Sequence, residues 1–514
     1  EGKIDQTIVR YDLYIGNANP LNDLDIDTIE IIDGDQTIQV KIGDPQYERF
    51  WKETSERGDT PDWYFFMHPE QRKQVDLNFD GPAKLSGVSG SGKTCVAVKR
   101  AVRLAEENNS TKILFVTLNR SLSKMISDLV DMAISIPKVR VNIEVLSLFE
   151  LLQNQLYKLE PTRKSYYNDV TFRLDEHIDE VFREFYRCEN NSETAKILIP
   201  AHHALTANNI SAENYLREEF DWIRSVLSKD EREDYINIAR SGRKYPFNQR
   251  RRQRILEGLN FWEEKMESVG VIDYLGLTSA LSAHQNSLFP IYDHTIVDEV
   301  QDFGTTELKI IRKLTKKGNN DLFLCGDLAQ HILPKSQDIN KAGIKIPSSR
   351  SNTITKNYRN TRQILRAAYE VLVKNMDEGL LETGDLEILD PDYANVTGAE
   401  PVIMKGEGLQ DEITSALRCA EAMATGGQKA CIAIAGFTLF EVEKYATKIG
   451  LPVLDGNNSR ENYKIILSDL SQTKGYEFDH VFILNCEAGV VPPIDIPNEE
   501  LYRYGCQLYV AMTR

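Results

Sequence analysis

The sequence predicts an α/β fold with two parallel-sheet units, and three features carry that prediction. A Gly-rich loop, Gly87-Val88-Ser89-Gly90-Ser91-Gly92-Lys93-Thr94, lies between a short strand candidate and apolar residues at helical spacing. Strand and helix patterns alternate over residues 83–149, the arrangement that builds a parallel sheet. A second alternating stretch begins near residue 352, after a long helical interval.

Residues 1–64 hold 15 acidic and 6 basic side chains, about half of the excess behind the net charge of −17. Their β-like runs, Thr28 to Ile32 and Thr37 to Val40, predict a small α+β appendage. Pro82 to Ser86 reads as the strand before the loop and Cys95 to Val102 as the helix after it. Ile113 to Leu118 is a buried-strand run, Leu122 to Ile134 an amphipathic helix and Val139 to Val145 another strand. Residues 150–285 are charged and helical in period, which predicts an insertion. Strand signals return at Thr295 to Val297 and Leu322 to Leu324. The second unit has strand candidates at Val402 to Met404, Cys431 to Ala435, Ile465 to Leu467 and Val481 to Leu484. The expected domains are an accessory region (1–64), a first α/β unit (65–149 and 286–350), its insertion (150–285) and a second α/β unit (351–514).

Composition sets limits. A chain of 514 residues exceeds one core, and 41% hydrophobic with 27% charged residues is ordinary for a water-soluble fold. No run approaches ~18 consecutive apolar residues, so no membrane span is expected. Seven cysteines without a C-x-x-C pair predict reduced thiols, no zinc site and a cytoplasmic location. The chain begins at Glu1 without a signal-peptide core and ends at Arg514 within a helical pattern, as expected of a trimmed fragment. The negative charge argues against coating nucleic acid by bulk electrostatics. One basic cluster stands out: Arg243, Lys244, Arg250, Arg251, Arg252 and Arg254, interleaved with Tyr245 and Phe247. It fits contact with a nucleic-acid backbone and equally a solvated helix face neutralised by Asp230 to Asp234.

The loop carries the first chemistry. Gly87, Gly90 and Gly92, with Ser89 and Ser91, let backbone N–H groups curl around phosphate oxygens, and the following helix adds its positive N-terminus. Lys93 would reach the β- and γ-phosphates of a bound nucleotide, and Thr94 would hold Mg2+. The second carboxylate-bearing element is His294-Thr295-Ile296-Val297-Asp298-Glu299-Val300-Gln301-Asp302, an apolar strand ending in Asp-Glu. Asp298 would join the Mg2+ shell and Glu299 would orient the attacking water.

Asp-Glu-x-Gln-Asp after such a loop resembles superfamily 1 helicases of the UvrD/Rep/PcrA group. Further motifs occur in that group's order from Gln71 to Arg514. Pro69-Glu70-Gln71-Arg72 resembles the adenine-recognising glutamine motif. Val116-Thr117-Leu118-Asn119-Arg120 resembles the strand-end motif that touches single-stranded nucleic acid, which implicates Thr117 and Asn119. Leu324-Cys325-Gly326-Asp327-Leu328-Ala329-Gln330 resembles the motif whose glutamine, here Gln330, senses the γ-phosphate. Asn357-Tyr358-Arg359-Asn360 matches a motif whose tyrosine packs on the base and whose arginine acts as a finger on the γ-phosphate. Lys474-Gly475-Tyr476-Glu477-Phe478 resembles the Lys-Gly-x-Glu-Phe motif, placing Glu477 at the nucleotide. Tyr509 to Arg514 resembles Tyr-Val-x-x-Thr-Arg, whose arginine is a second finger. The resemblance implies two RecA-like P-loop domains with ATP and Mg2+ between them.

The sequence also departs from the group. The aromatic platform after the Gly-Asp motif is replaced by His331-Ile332-Leu333-Pro334, and the one in the strand-end motif by Leu118. Cys95 stands where arginine is frequent after Lys-Thr, and Asp469 and Ser471 replace the Thr and His before Lys474. Arg359 and Lys474 are 115 positions apart, too few for the group's large second-domain insertion. The resemblance therefore implies an ATP-dependent translocase or helicase, with 3′→5′ movement on single-stranded DNA, or alternatively an ATP-gated regulatory switch or accessory ATPase that controls a partner protein.

Overall fold

The computed structural model describes residues 9–10, 28–33, 36–41, 67, 69–87, 90–168, 172–186, 193–208, 210–240, 243, 245–327, 335–354, 357–374, 394–424, 428–454, 463–474, 476–493 and 498–514. In the N-terminal stretch, β1 (Val9–Arg10) precedes β2 (Thr28–Asp33) and β3 (Gln36–Lys41), which form an antiparallel hairpin. Helix α1 (Pro69–Asp76) leads into β4 (Ala83–Gly87), α2 (Lys93–Glu107), β5 (Ile113–Thr117), α3 (Arg120–Ala133) and β6 (Ile143–Ser147). The expected strand from Val139 instead begins at Ile143. Pro137 opens a 3-10 turn over Pro137–Asn142, since proline supplies no N–H for a sheet ladder.

Among the described residues seven helices follow: α4 (Leu148–Leu159), α5 (Lys164–Tyr167), α6 (Phe172–Tyr186), α7 (Glu193–Thr206), α8 (Ala212–Val226), α9 (Gln249–Val269) and α10 (Tyr274–Ser282). The chain then returns through β7 (His294–Val297), α11 (Thr305–Leu314), β8 (Leu322–Gly326) and β9 (Ser351–Ile354). Six parallel strands form one sheet in the order β6-β5-β7-β8-β4-β9.

Side-chain alternation explains why these strands read as unbroken apolar runs. Ile113, Phe115, Ile296, Phe323 and Cys325 face the core under α2 and α3. Leu114, Val116, Val297, Leu322 and Leu324 face the opposite core, which is continuous with Trp262, Phe220 and Leu259 of the helical segment. Both sheet faces are covered, as parallel sheets require. The segment predicted as an insertion thus supplies the second covering layer of this sheet. Ser147 starts it with a reciprocal capping box to Glu150.

The second unit comprises β10 (Asn357–Thr361), α12 (Arg362–Lys374), β11 (Ala394–Val396), α13 (Leu409–Met423), β12 (Ala430–Ile434), α14 (Leu439–Ile449), β13 (Ile465–Asp469), β14 (His480–Leu484) and α15 (Asn498–Met512). Strand β12 lies between β13 and β14, parallel to both. β1 adds an antiparallel edge, with Val9 opposite Val481, so the N-terminal stretch reaches the second sheet. The expected strand at Val402 to Met404 does not form. That segment joins no ladder, and Ile403 is almost wholly exposed.

Asp469 ends β13. Its Oδ1 accepts hydrogen bonds from the backbone N–H groups of Ser471 (2.6 Å) and Gln472 (3.0 Å), fixing the turn toward Lys474. Burial raises its carboxyl to about 6 despite these bonds. A folded-state value above the unfolded one gives stability that is complete below about pH 3.8 and lost as pH rises through about 6. Asp469→Asn keeps the acceptor oxygen and removes the charge. Urea melts should find this variant more stable than the parent at pH 7 and level with it near pH 4. Equal stability at pH 7 would count against burial as the cause.

Candidate functional site

All six strands of the first sheet point their C-terminal ends the same way, and Gly87, Thr117, Val297 and Gly326 end four of them. This carboxyl edge is where open α/β sheets bind ligands. The loop after β4 turns at Gly90 (φ 74°) and Gly92 (φ 78°), and the latter starts α2. A Cβ on Gly92 would lie 2.3 Å from Gln71 Nε2, and one on Gly87 2.9 Å from the Ile354 carbonyl oxygen. Glycine is therefore required by close approach as well as by backbone angle.

The predicted residues converge here. Lys93 Nζ donates to the Gly87 carbonyl (2.8 Å) and Gln71 Nε2 to the Ser91 carbonyl (2.8 Å). Thr94 Oγ1 donates to Asp298 Oδ2 (2.8 Å), bringing the two predicted Mg2+ ligands together. These are hard oxygen donors. Among the described residues no cluster of three His, Cys, Asp or Glu side chains could hold a metal alone. One carboxylate and one hydroxyl suit Mg2+, which commonly completes its shell with water and substrate phosphates.

Glu299 sits beside Asp298 in a left-handed conformation (φ 55°, ψ 39°). Such a conformation costs a non-glycine residue on the order of 1–3 kcal/mol and persists only when neighbours enforce it. Gln301 Nε2 donates to Glu299 Oε2 (2.5 Å), while Gln301 Oε1 accepts from the Asp327 backbone N–H (3.0 Å). Burial and the Glu299 charge raise the Asp298 carboxyl above the usual range. Burial opposes ionisation of Glu299 as well, but Lys474, Arg514 and Lys93 outweigh it and hold that carboxyl low.

Two of those cations belong to the second unit. Lys474 is buried, pairs with Asp302 and lies 3.9 Å from Glu299 Oε2. Arg514 is 3% exposed, and its carbonyl oxygen accepts from the Phe478 N–H (3.1 Å). Glu477 is half-buried next to Phe478. Sequence reasoning overlooked Lys474, Gln301 and Asp302 as site residues, although all three stand inside quoted motifs. Their signal was position within the motif; their contacts arise only when the two units meet. Ser89 and Gln330, and the His331 to Pro334 departure, lie outside the described residues. For Tyr358 and Arg359 the structure describes the β10 backbone alone.

The expected nucleic-acid contacts are placed differently. Thr117 is fully buried, and its Oγ1 has no hydrogen-bond partner among the described residues. Asn119 caps α3, its side chain accepting from the Leu122 N–H (2.9 Å). The basic cluster divides. Arg243 is buried against Glu218 and Glu219, both at 3.0 Å, and Arg252 donates to the carbonyls of Phe247 (3.1 Å), Tyr235 (3.1 Å) and Ile238 (2.6 Å). Both guanidiniums hold the helical layer together, and Arg252, expected at a nucleic-acid backbone, is engaged with these carbonyls. Arg250 and Arg254 are exposed and Arg251 is half-exposed. For Arg243 the neutralising acids are Glu218 and Glu219, outside the predicted run; within that run Glu231 pairs with Lys309.

Residues 67–333 match the UvrD/REP helicase N-terminal domain. Over 91 residues the chain is 34% identical to a probable DNA helicase II homolog of Mycoplasma genitalium, and the alignment covers 16% of this chain and 13% of that protein.

Removing Lys474 would leave Asp302 buried without its cation, which typically costs about 3–5 kcal/mol. Urea unfolding of Lys474→Ala should register a loss of that order. The double variant Lys474→Met/Asp302→Leu should recover most of it. Additive losses in the double variant would mean that the two side chains are not coupled.

Proposed function

The chain belongs to the UvrD/REP helicase family, and from that membership we propose that it hydrolyses ATP and couples the reaction to movement along single-stranded DNA in the 3′→5′ direction. The observation carrying this reading is that Lys474 of the second unit lies 3.9 Å from Glu299 at the carboxyl edge of the first sheet, where Lys474, Arg514 and Lys93 hold the carboxyl low. A hydrolytic site split between two units changes as they open and close, which is how nucleotide turnover becomes motion.

In this reading Gln71 reads the base, Gly87 to Thr94 cradle the phosphates and Glu477 lies by the nucleotide. Glu299 accepts a proton from the attacking water as the new bond to the γ-phosphorus forms and the bond to the β-phosphate oxygen breaks, releasing ADP and phosphate. Mg2+, held by Thr94 and Asp298, would offset phosphate charge when bound. Arg514, with Arg359 and Gln330 as further assigned partners, would stabilise charge on the transferred group. We assign residues 65–149 and 286–354 to the first motor unit, 150–285 to its helical layer and 357–514 to the second; the expected boundary at 350 moves because Ser351–Ile354 pair with β4 of the first sheet. Val9–Arg10 extend the second sheet from the 1–64 region.

A second reading, an ATP-gated switch or accessory ATPase acting on a partner protein, is favoured by the burial of Thr117 and Arg243 and by the engagement of the Arg252 guanidinium with backbone carbonyls, which leave fewer groups to grip a strand.

ATP hydrolysis with and without single-stranded DNA separates the two. The motor reading expects strong stimulation by DNA, and Lys93→Ala should abolish turnover. No stimulation by any nucleic acid would leave the switch. Replacing Arg250 and Arg251 by Ala should flatten the salt dependence of strand binding, because each lost phosphate contact lowers the slope by about 1. Arg252→Ala should instead lower the melting temperature. An unchanged salt slope in the first variant would return that helix face to solvent.

A further inference from the structure

Gln301 lies between Asp298-Glu299 and Gly326-Asp327 and is 1% exposed. Its amide reaches both sides: Nε2 donates to Glu299 Oε2 at 2.5 Å and Oε1 accepts from the Asp327 N–H at 3.0 Å. Donor and acceptor are both needed, and an amide supplies both. The site is also shaped around it. A Cβ on Gly326 would lie 2.7 Å from Gln301 Oε1 and 2.7 Å from Val300 Cγ1, so a residue without a side chain is required there. Glu299 caps the short turn Val300–Asp302 that carries Gln301, and the Asp302 N–H donates back to the Glu299 carbonyl at 3.0 Å.

We propose that Gln301 is a positioning residue for hydrolysis: it fixes the carboxylate of Glu299 in its left-handed setting and ties that orientation to the Gly326-Asp327 strand end. A carboxylate on a freely rotating side chain samples many directions. One pinned through Oε2 keeps Oε1 aimed in a single direction, which is what a water-orienting group needs. Because the other end of the amide accepts from the Asp327 N–H, a shift of Asp327 at the end of β8 reaches Glu299 without touching the phosphates. The inference rests on the hydrolytic reading of the site.

The test uses the full chain as wild type, Lys93→Ala, Gln301→Glu and Gln301→Met. Gln301→Glu keeps an oxygen to accept from Asp327 and replaces the donor facing Glu299 by a second carboxylate. Gln301→Met is similar in length, uncharged and lacks both contacts. Single-turnover hydrolysis of MgATP and affinity for a non-hydrolysable ATP analogue are measured in parallel, with thermal melts to read folding. The expected result is a rate loss of about 100-fold in Gln301→Glu and at least about tenfold in Gln301→Met, with analogue affinity within about threefold of wild type. Wild-type rates in the Met variant, or equal losses of rate and affinity, would overturn the proposal. If Lys93→Ala silences hydrolysis while both Gln301 variants retain it, this inference fails alone. If wild type shows no hydrolysis that Lys93→Ala removes, the hydrolytic reading fails with it.

Discussion

Two adjacent carboxylates, the buried Asp298 and the partly buried Glu299, stand at the end of an apolar strand, and much of the site follows from how their charge is met. Isolated buried anions cost too much to persist. Here Thr94 donates to one and Gln301 to the other, while Lys93 approaches from the same unit and Lys474 and Arg514 from the second. The cations from the second unit link its position to the ionisation of Glu299. The Lys474–Asp302 pair adds a buried tie across the same boundary. The two units are joined by polar contacts whose strength depends on the charge in the site, an arrangement suited to responding when phosphates arrive.

The remaining architecture delivers these groups. Parallel pairing brings β4, β5, β7 and β8 to one edge, so residues from distant parts of the chain meet there. Apolar side chains alternate between two cores, and the helical segment is needed to cover one of them. Arg100 secures the glutamine-bearing helix. It donates to the carbonyls of Gln74 (3.1 Å), Val75 (3.2 Å) and Leu77 (2.5 Å), while its guanidinium lies 4.9 Å from the Phe79 ring centre and 4.7 Å from that of Phe323. Gln71 is thereby held against the phosphate loop by groups two turns along the next helix.

Local chemistry was legible in the sequence wherever it depends on near neighbours. The glycine loop, the Asp298-Glu299 strand end and the runs Ile113 to Leu118 and Cys431 to Ala435 announce themselves through spacing and apolar continuity. What could not be read depends on distant partners. Arg252 looks like a surface cation until the carbonyls of Tyr235 and Ile238 are brought to it. Asp469 looks only like a departure from the group's threonine until its turn-capping bonds to Ser471 and Gln472 are in place. Val402 to Met404 has strand composition, but composition cannot supply a neighbouring strand. The two-residue β1 carries too little pattern to be noticed, and its partner lies more than 450 residues away.

The central claim is that hydrolysis needs cations from both units at one carboxylate. Arg514→Ala, assayed for single-turnover ATP hydrolysis beside ATP affinity, tests it most directly. The account predicts a loss in rate of about 10³-fold or more, the scale on which arginine fingers act, with a much smaller change in affinity. Hydrolysis at the wild-type rate would show that the first unit works alone, and would contradict a site shared across the cleft.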